Sequence, residues 1–245
     1  MSGVAEGAAM THVRRCVAEF VGTAILLAAI VGSGIMAQRL SQGNTAIALL
    51  ANSIATGGVL ICLILALGPI SGAHFNPAVS IADALRRGLS AIECVYYVVA
   101  QVIGGIVGVL MAHAMFGLPP VFFSQRVRTG PSQWFAEFVA TFGLLLVIWG
   151  CVRFRSPFTA FAVAAYIVGA YWFTASTSFA NPAVTIARSL SDTFAGIRPI
   201  DAPGFIVAQL LGAVAATALF SWLAPISVSQ AHDALLPHDG EPRVA

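Results

Sequence analysis

Apolar residues fill long blocks of the chain with almost no charge inside them, and polar residues gather at the breaks. A helix that crosses the hydrocarbon core of a bilayer needs about 17–25 such residues. Six blocks fit, at about 14–36, 44–67, 90–115, 133–152, 158–174 and 203–223. Two charge-free stretches, 40–82 and 156–187, are too long for one helix each. Each holds a full span and then a shorter piece rich in Gly, Ser, Pro and Asn. The shorter pieces end in near copies of one motif, NPAVSIAD at 76–83 and NPAVTIAR at 181–188.

Irregular backbone at membrane depth is tolerated only where it is buried in protein or lines a wet cavity. Each shorter piece therefore predicts a re-entrant loop followed by a half-helix. Asn76 and Asn181 suit helix N-caps, and Pro77 and Pro182 suit the first helical position, where a missing N–H costs nothing. The repetition extends further. AEFVGT (18–23) matches AEFVAT (136–141), and AQVIGGIVG (100–108) matches AQLLGAVAA (208–216). Each half thus reads as span, span, half-helix, span, with repeats at about 14–115 and 133–223. Three full spans per half is an odd number, so the halves insert in opposite orientations. The prediction is an all-α membrane protein of six transmembrane helices and two re-entrant half-helices, built as an inverted repeat.

Composition sharpens this. The chain is 58% hydrophobic and 9% charged, with a mean hydropathy of +0.89. That is too little charge to cover a soluble domain. A formal net charge of +2 gives no support to a nucleic-acid partner. Every basic residue is Arg. With both termini cytoplasmic, seven of the twelve fall inside and five outside, in line with the positive-inside tendency. Arg14-Arg15 before an apolar run mimics a signal peptide, but the run is too long for one and predicts an uncleaved first span. Residues 1–13 then form a cytoplasmic segment, and 224–245, with their Pro, Asp and His, a disordered tail. Cys16, Cys62, Cys94 and Cys151 lie at no metal-ligand spacing and read as small hydrophobes. No cofactor or metal is expected.

SGAHFNPAV (71–79), FANPAV (179–184) and the repeated AEFV segments resemble the major intrinsic protein family, the aquaporins and aquaglyceroporins. The resemblance covers about residues 14–223. It implies a homotetramer in the plasma (inner) membrane with one pore per subunit. The pore motifs are then Asn76, Pro77 and Ala78 with Asn181, Pro182 and Ala183, and Gly72, Ala73 and His74 form a pore-lining loop. Half-helix N-termini present partial positive charge at mid-pore, and asparagine N–H groups donate to a passing oxygen. Cation exclusion by these dipoles is the established account of aquaporin-type pores.

In most of the family an arginine follows the second motif and lines the outer constriction. Val184 stands there instead, with Arg188 one helical turn on. The other filter positions map onto Thr56, onto Gly169 or Ala170, and onto Ser178 or Phe179. This implies a filter that is small, weakly polar and without its fixed charge, hence wider than a water-only channel. FANPAVTIARSL also resembles a bacterial group associated with arsenic-resistance operons. The implied function is passive passage of small neutral solutes: arsenite as arsenous acid, methylated arsenicals, glycerol and water.

The repeat also sets Glu19 against Glu137 and Gln101 against Gln209. An intramembrane carboxylate is a functional candidate by default. Their symmetry instead suggests braces that accept backbone N–H groups of the re-entrant loops, rather than a proton relay. His74 is a candidate pH gate or a hydrogen-bonded loop residue. Three other functions stand against the channel. A water-selective aquaporin would need a narrower filter. A coupled carrier also uses inverted repeats, but needs an ion site, and Asp83 only ends one half-helix. An adhesive scaffold would have a closed pore. No nucleophile–base set suggests an enzyme.

Overall fold

The computed structural model describes residues 11–224. The expected tail therefore lies, apart from Ala224, outside the described residues, as do residues 1–10. Eight α-helices follow in order: α1 His12–Leu40, α2 Thr45–Ser71, α3 Pro77–Leu85, α4 Ala91–Phe116, α5 Pro131–Arg153, α6 Thr159–Phe173, α7 Pro182–Arg188 and α8 Ala202–Leu223. Five are long and apolar enough to cross a membrane: α1, α2, α4, α5 and α8. α6 is shorter, with 15 residues, or roughly 22 Å at the usual helical rise. The irregular segment 174–180, mostly buried, follows it. α3 and α7 are the half-helices, so the order is long, long, half, long in the first half and long, shorter, half, long in the second.

The helices overrun the apolar blocks at several ends. α1 starts at His12, inside the segment expected to precede it, because the Thr11 hydroxyl accepts from Arg14 N. α2 continues through Gly68 and Pro69 to Ser71. It stops at Gly72, whose φ of +88° no side-chain-bearing residue adopts cheaply.

The burial pattern is that of a bundle in lipid. α4 leaves Ile92, Val95, Val99 and Ile103 exposed and buries Tyr97, Gln101, Gly104 and Gly108. Small residues let the long helices touch. A Cβ on Gly104 would lie 2.4 Å from the Phe20 carbonyl oxygen, one on Gly108 2.1 Å from that of Ala24, and one on Gly212 2.4 Å from that of Phe138. Backbone-to-backbone approach of this kind is what small-xxx-small spacing permits. Gly108→Val is therefore expected to cost about 3 kcal/mol, read as a lowered unfolding midpoint in detergent. Gly58→Ala, inside α2 with nothing within 4 Å of the new Cβ, should not lower the midpoint.

Candidate functional site

The re-entrant loops are held from behind by two wholly buried carboxylates, Glu19 and Glu137. Glu19 accepts from the Ser71 hydroxyl at 2.6 Å, His74 N at 3.0 Å, Phe75 N at 2.7 Å and Gln101 Nε2 at 2.8 Å. Glu137 accepts from Phe179 N at 2.8 Å, Ala180 N at 2.8 Å and Gln209 Nε2 at 2.6 Å. Gln101 also donates to Ser80 Oγ, and Gln209 to Thr185 Oγ1, both at 2.9 Å. The loops need this support. Ala73, Phe75, Thr177, Ser178 and Ala180 all have φ between 48° and 61°, a left-handed backbone that costs side-chain-bearing residues energy.

The half-helices then start head to head. Asn76 Oδ1 accepts from Ala78 N, and Asn181 Oδ1 from Ala183 N and Val184 N. Each amide also reaches across the midplane. Asn76 Nδ2 donates to the Ala180 carbonyl at 2.7 Å, and Asn181 Nδ2 to the Phe75 carbonyl at 2.8 Å. An amide nitrogen carries two hydrogens, so one per asparagine is left over. Both asparagines line a cavity of about 130 Å³ whose wall extends from Val152 and Thr159 to Thr56 and Arg188. At the midplane the cavity therefore offers two N–H donors and two helix N-termini.

Toward the face where α1 begins, the cavity is walled by His74, Trp149, Val152 and Thr159, with Gly72 and Ala73 beside His74. His74 Nδ1 lies 3.1 Å from Ser80 Oγ, and its Nε2 lies 3.9 Å from the buried Asp83 carboxylate. Toward the opposite face the wall includes Thr56, Tyr171, Ser178, Phe179, Val184 and Arg188. Thr56 Oγ1 and Tyr171 OH are 3.4 Å apart. The Ser178 hydroxyl has no hydrogen-bond partner among the described residues. Pro77, Ala78, Pro182 and Ala183 are buried in the first turns behind the asparagines.

Two expectations change here. Neither Gly169 nor Ala170 is on the cavity wall. Gly169 is exposed on the outside of α6, and Ala170 is packed inside the bundle. The α6 residues on the wall are Thr159, Val163, Ile167 and Tyr171, four residues apart and so on one helical face. That stripe is the signal in the sequence that counting back from the motif overlooks. The wall also has a fixed charge after all, because Arg188 lines it. Its guanidinium carbon sits 3.4 Å from the centroid of the Phe179 ring, and its Nε donates to the Ala195 carbonyl. Arg128, in the loop between α4 and α5, lies close by, 5.0 Å from the same ring. Its Nε donates to the Gly196 carbonyl at 2.9 Å. Burial pushes the Arg128 guanidinium down to about 10, so it stays cationic at neutral pH.

Among the described residues, no three of His, Cys, Asp and Glu come together in a way that would hold a metal ion.

Comparison with known proteins agrees with this geometry. The chain is 58% identical over 210 residues to the aquaglyceroporin AqpS of Rhizobium meliloti (strain 1021), covering 86% of this chain and 90% of that one. It is 31% identical to the aquaporin AqpM of Methanothermobacter marburgensis, covering 86% of this chain and 97% of that one. The X-ray structure of the aquaglyceroporin from Plasmodium falciparum shares the fold, with a TM-score of 0.65 at 20% identity over 86% of this chain and 96% of that one. The family model described as major intrinsic protein matches residues 6–174 and 152–240. The chain belongs to the major intrinsic protein family, multi-pass membrane channels, not enzymes, through which small solutes such as water and glycerol pass passively.

Proposed function

We propose that this channel is a wide-filter pore for small neutral hydroxylated solutes, taking arsenous acid and methylated arsenicals as well as glycerol and water. The observation that carries the reading is Val184. It stands on the cavity wall directly after the second Asn-Pro-Ala, 3% exposed, where an arginine would fill the passage. Around it Thr56 and Tyr171 offer hydroxyls, while Leu60, Ile64, Val163 and Ile167 make the rest of the path apolar. A polyol-like solute can slide its carbon or arsenic side along the apolar wall. Its hydroxyl groups meanwhile exchange water for the threonine, tyrosine and asparagine groups. Asn76, Pro77, Ala78, Asn181, Pro182 and Ala183 serve as the pore-centre motifs, with Glu19, Glu137, Gln101 and Gln209 as braces. The similarity to an aquaglyceroporin of a bacterium supports a place in the plasma (inner) membrane. Both termini are assigned to the cytoplasm and the assembly to a homotetramer.

The test is stopped-flow light scattering on proteoliposomes, with water, glycerol, arsenous acid and methylarsenate compared against empty liposomes. Glycerol and arsenical fluxes at least about tenfold over lipid leakage are expected, equivalent to a barrier lowered by about 1.4 kcal/mol. Water flux alone would replace this reading with a water-selective one. Flux that saturates and follows a proton or sodium gradient would replace it with a coupled carrier.

A further inference from the structure

We propose that Arg188 returns to the filter, from one helical turn further on, the positive charge that Val184 leaves out, and that it is the residue that keeps cations out of a pore wide enough for larger solutes. The inference rests on the channel reading above and deepens it.

Arg188 is 2% exposed. No carboxylate lies within salt-bridge distance of it among the described residues. A buried cation without a counter-ion is costly unless water or solute reaches it. Among the described residues its polar and cation–π contacts are one carbonyl, that of Ala195, and the face of Phe179. Both involve the Nε side and the plane of the group. The terminal Nη atoms make no hydrogen bond among the described residues, and neither is a sealed, unpartnered atom. With the residue on the cavity wall, those Nη groups are the part of Arg188 available to the passage. A guanidinium holds five N–H donors, so up to four are offered there.

The support is specific. Consecutive carbonyls, Ala195 and Gly196, anchor the Nε groups of Arg188 and Arg128 respectively. Gly196 is required for that loop to lie where it does, because a Cβ would fall 2.3 Å from Ser124 Oγ and 2.4 Å from the Ser191 carbonyl. Phe179, whose N–H is held by Glu137, serves as the platform. The arrangement places charge beside the passage rather than across it. Solutes broader than water keep their room, while cations meet a fixed positive group in addition to the half-helix dipoles.

The test measures sodium and proton leak, as a ratio to water permeability, in proteoliposomes of the full chain. Arg188→Leu is expected to raise that ratio roughly tenfold or more, as removal of a nearby unit charge in a partly screened site implies. Arg188→Lys should hold it within about twofold of wild type. Val184→Glu supplies a second route. A glutamate four residues before an arginine pairs with it along a helix, so the charge would be neutralised with Arg188 still in place, and the ratio should rise as in Arg188→Leu. A purely structural Arg188 would lower stability or flux without moving the ratio. If neither Arg188→Leu nor Val184→Glu raises the ratio while water still passes, the inference is overturned. Should one variant fail to pass water, the other decides. The ratio needs only water flux, so a wild type that passes no glycerol would refute the wide-filter reading without touching this one.

Discussion

Val184→Arg is expected to cut glycerol flux by at least about tenfold, or about 1.4 kcal/mol in barrier, while water permeability falls by no more than about threefold. The side chain at 184 faces the cavity, and its backbone N–H is already fixed by Asn181 Oδ1 at 3.2 Å. A longer residue there cannot swing aside by moving the half-helix. It must extend into the passage. Arg188 lies four residues on, so the variant sets two guanidiniums on one helical face, a like-charge pair at the spacing where such pairs repel. The new group therefore moves away from Arg188, toward Thr56 and Tyr171 across the cavity. Water, the smallest solute, still threads past, and its oxygen gains donors. Glycerol and arsenous acid lose the width. Arsenical and glycerol fluxes should fall together, because both depend on room rather than on chemistry peculiar to arsenic. Stopped-flow scattering on matched preparations measures all three. A parallel loss of water and glycerol would mean that the variant closes or unfolds the pore, and that Val184 does not set its width.

The contrast between Val184 and Arg188 shows which parts of such a site are legible in a sequence. The head-to-head half-helices are legible because their signals are local and doubled: an asparagine cap, a proline at the first helical position, and a span-length surplus before each. Glu19 and Glu137 are legible because the repeat sets each against the other, and a carboxylate that recurs in two inverted halves is more readily a brace than a relay. The α6 wall is not legible by counting from the motif, because that assumes a loop of fixed length. Here the segment 174–180 turns through three left-handed residues, and Tyr171 lines the cavity where counting points to Gly169 or Ala170. Helical periodicity from Val163 through Ile167 gives the wall residue correctly. Arg188 hides for a different reason. A turn of helix rises only about 5.4 Å, and a guanidinium reaches that far, so a charge missing at one position can be supplied from the next turn. The partners that turn it inward, Phe179 and the Ala195 carbonyl, lie on other segments, and nothing local to Arg188 reports them.

Replacing either brace should have the largest effect on stability. Glu137→Gln is expected to destabilise the folded channel by about 3 kcal/mol or more, seen as a lower unfolding midpoint in detergent, with loss of the distinction between glycerol and larger polyols in whatever folded fraction remains. The reason is a count of donors. Glu137 meets three N–H donors, from Phe179, Ala180 and Gln209, and offers only acceptor oxygens to them. A glutamine there has one oxygen and one NH₂ group, so at least one donor faces another donor in a site with no access to water. The released loop carries Thr177, Ser178 and Ala180 in left-handed conformations, and these relax once the N–H groups that hold them lose their partner. Relaxation moves Phe179, and with it the platform under Arg188. Glu19→Gln should cost still more, because Glu19 satisfies four donors and its loop holds Phe75, buried against Gly22. The two variants should differ in what they disturb. Glu19→Gln acts on the His74 side of the passage and should leave cation exclusion by Arg188 intact in any folded fraction. Glu137→Gln should not. A Glu137→Gln channel with the wild-type midpoint and wild-type solute range would show that the backbone holds its left-handed turn without the carboxylate, and the loop's own packing would then have to be the source of its strength.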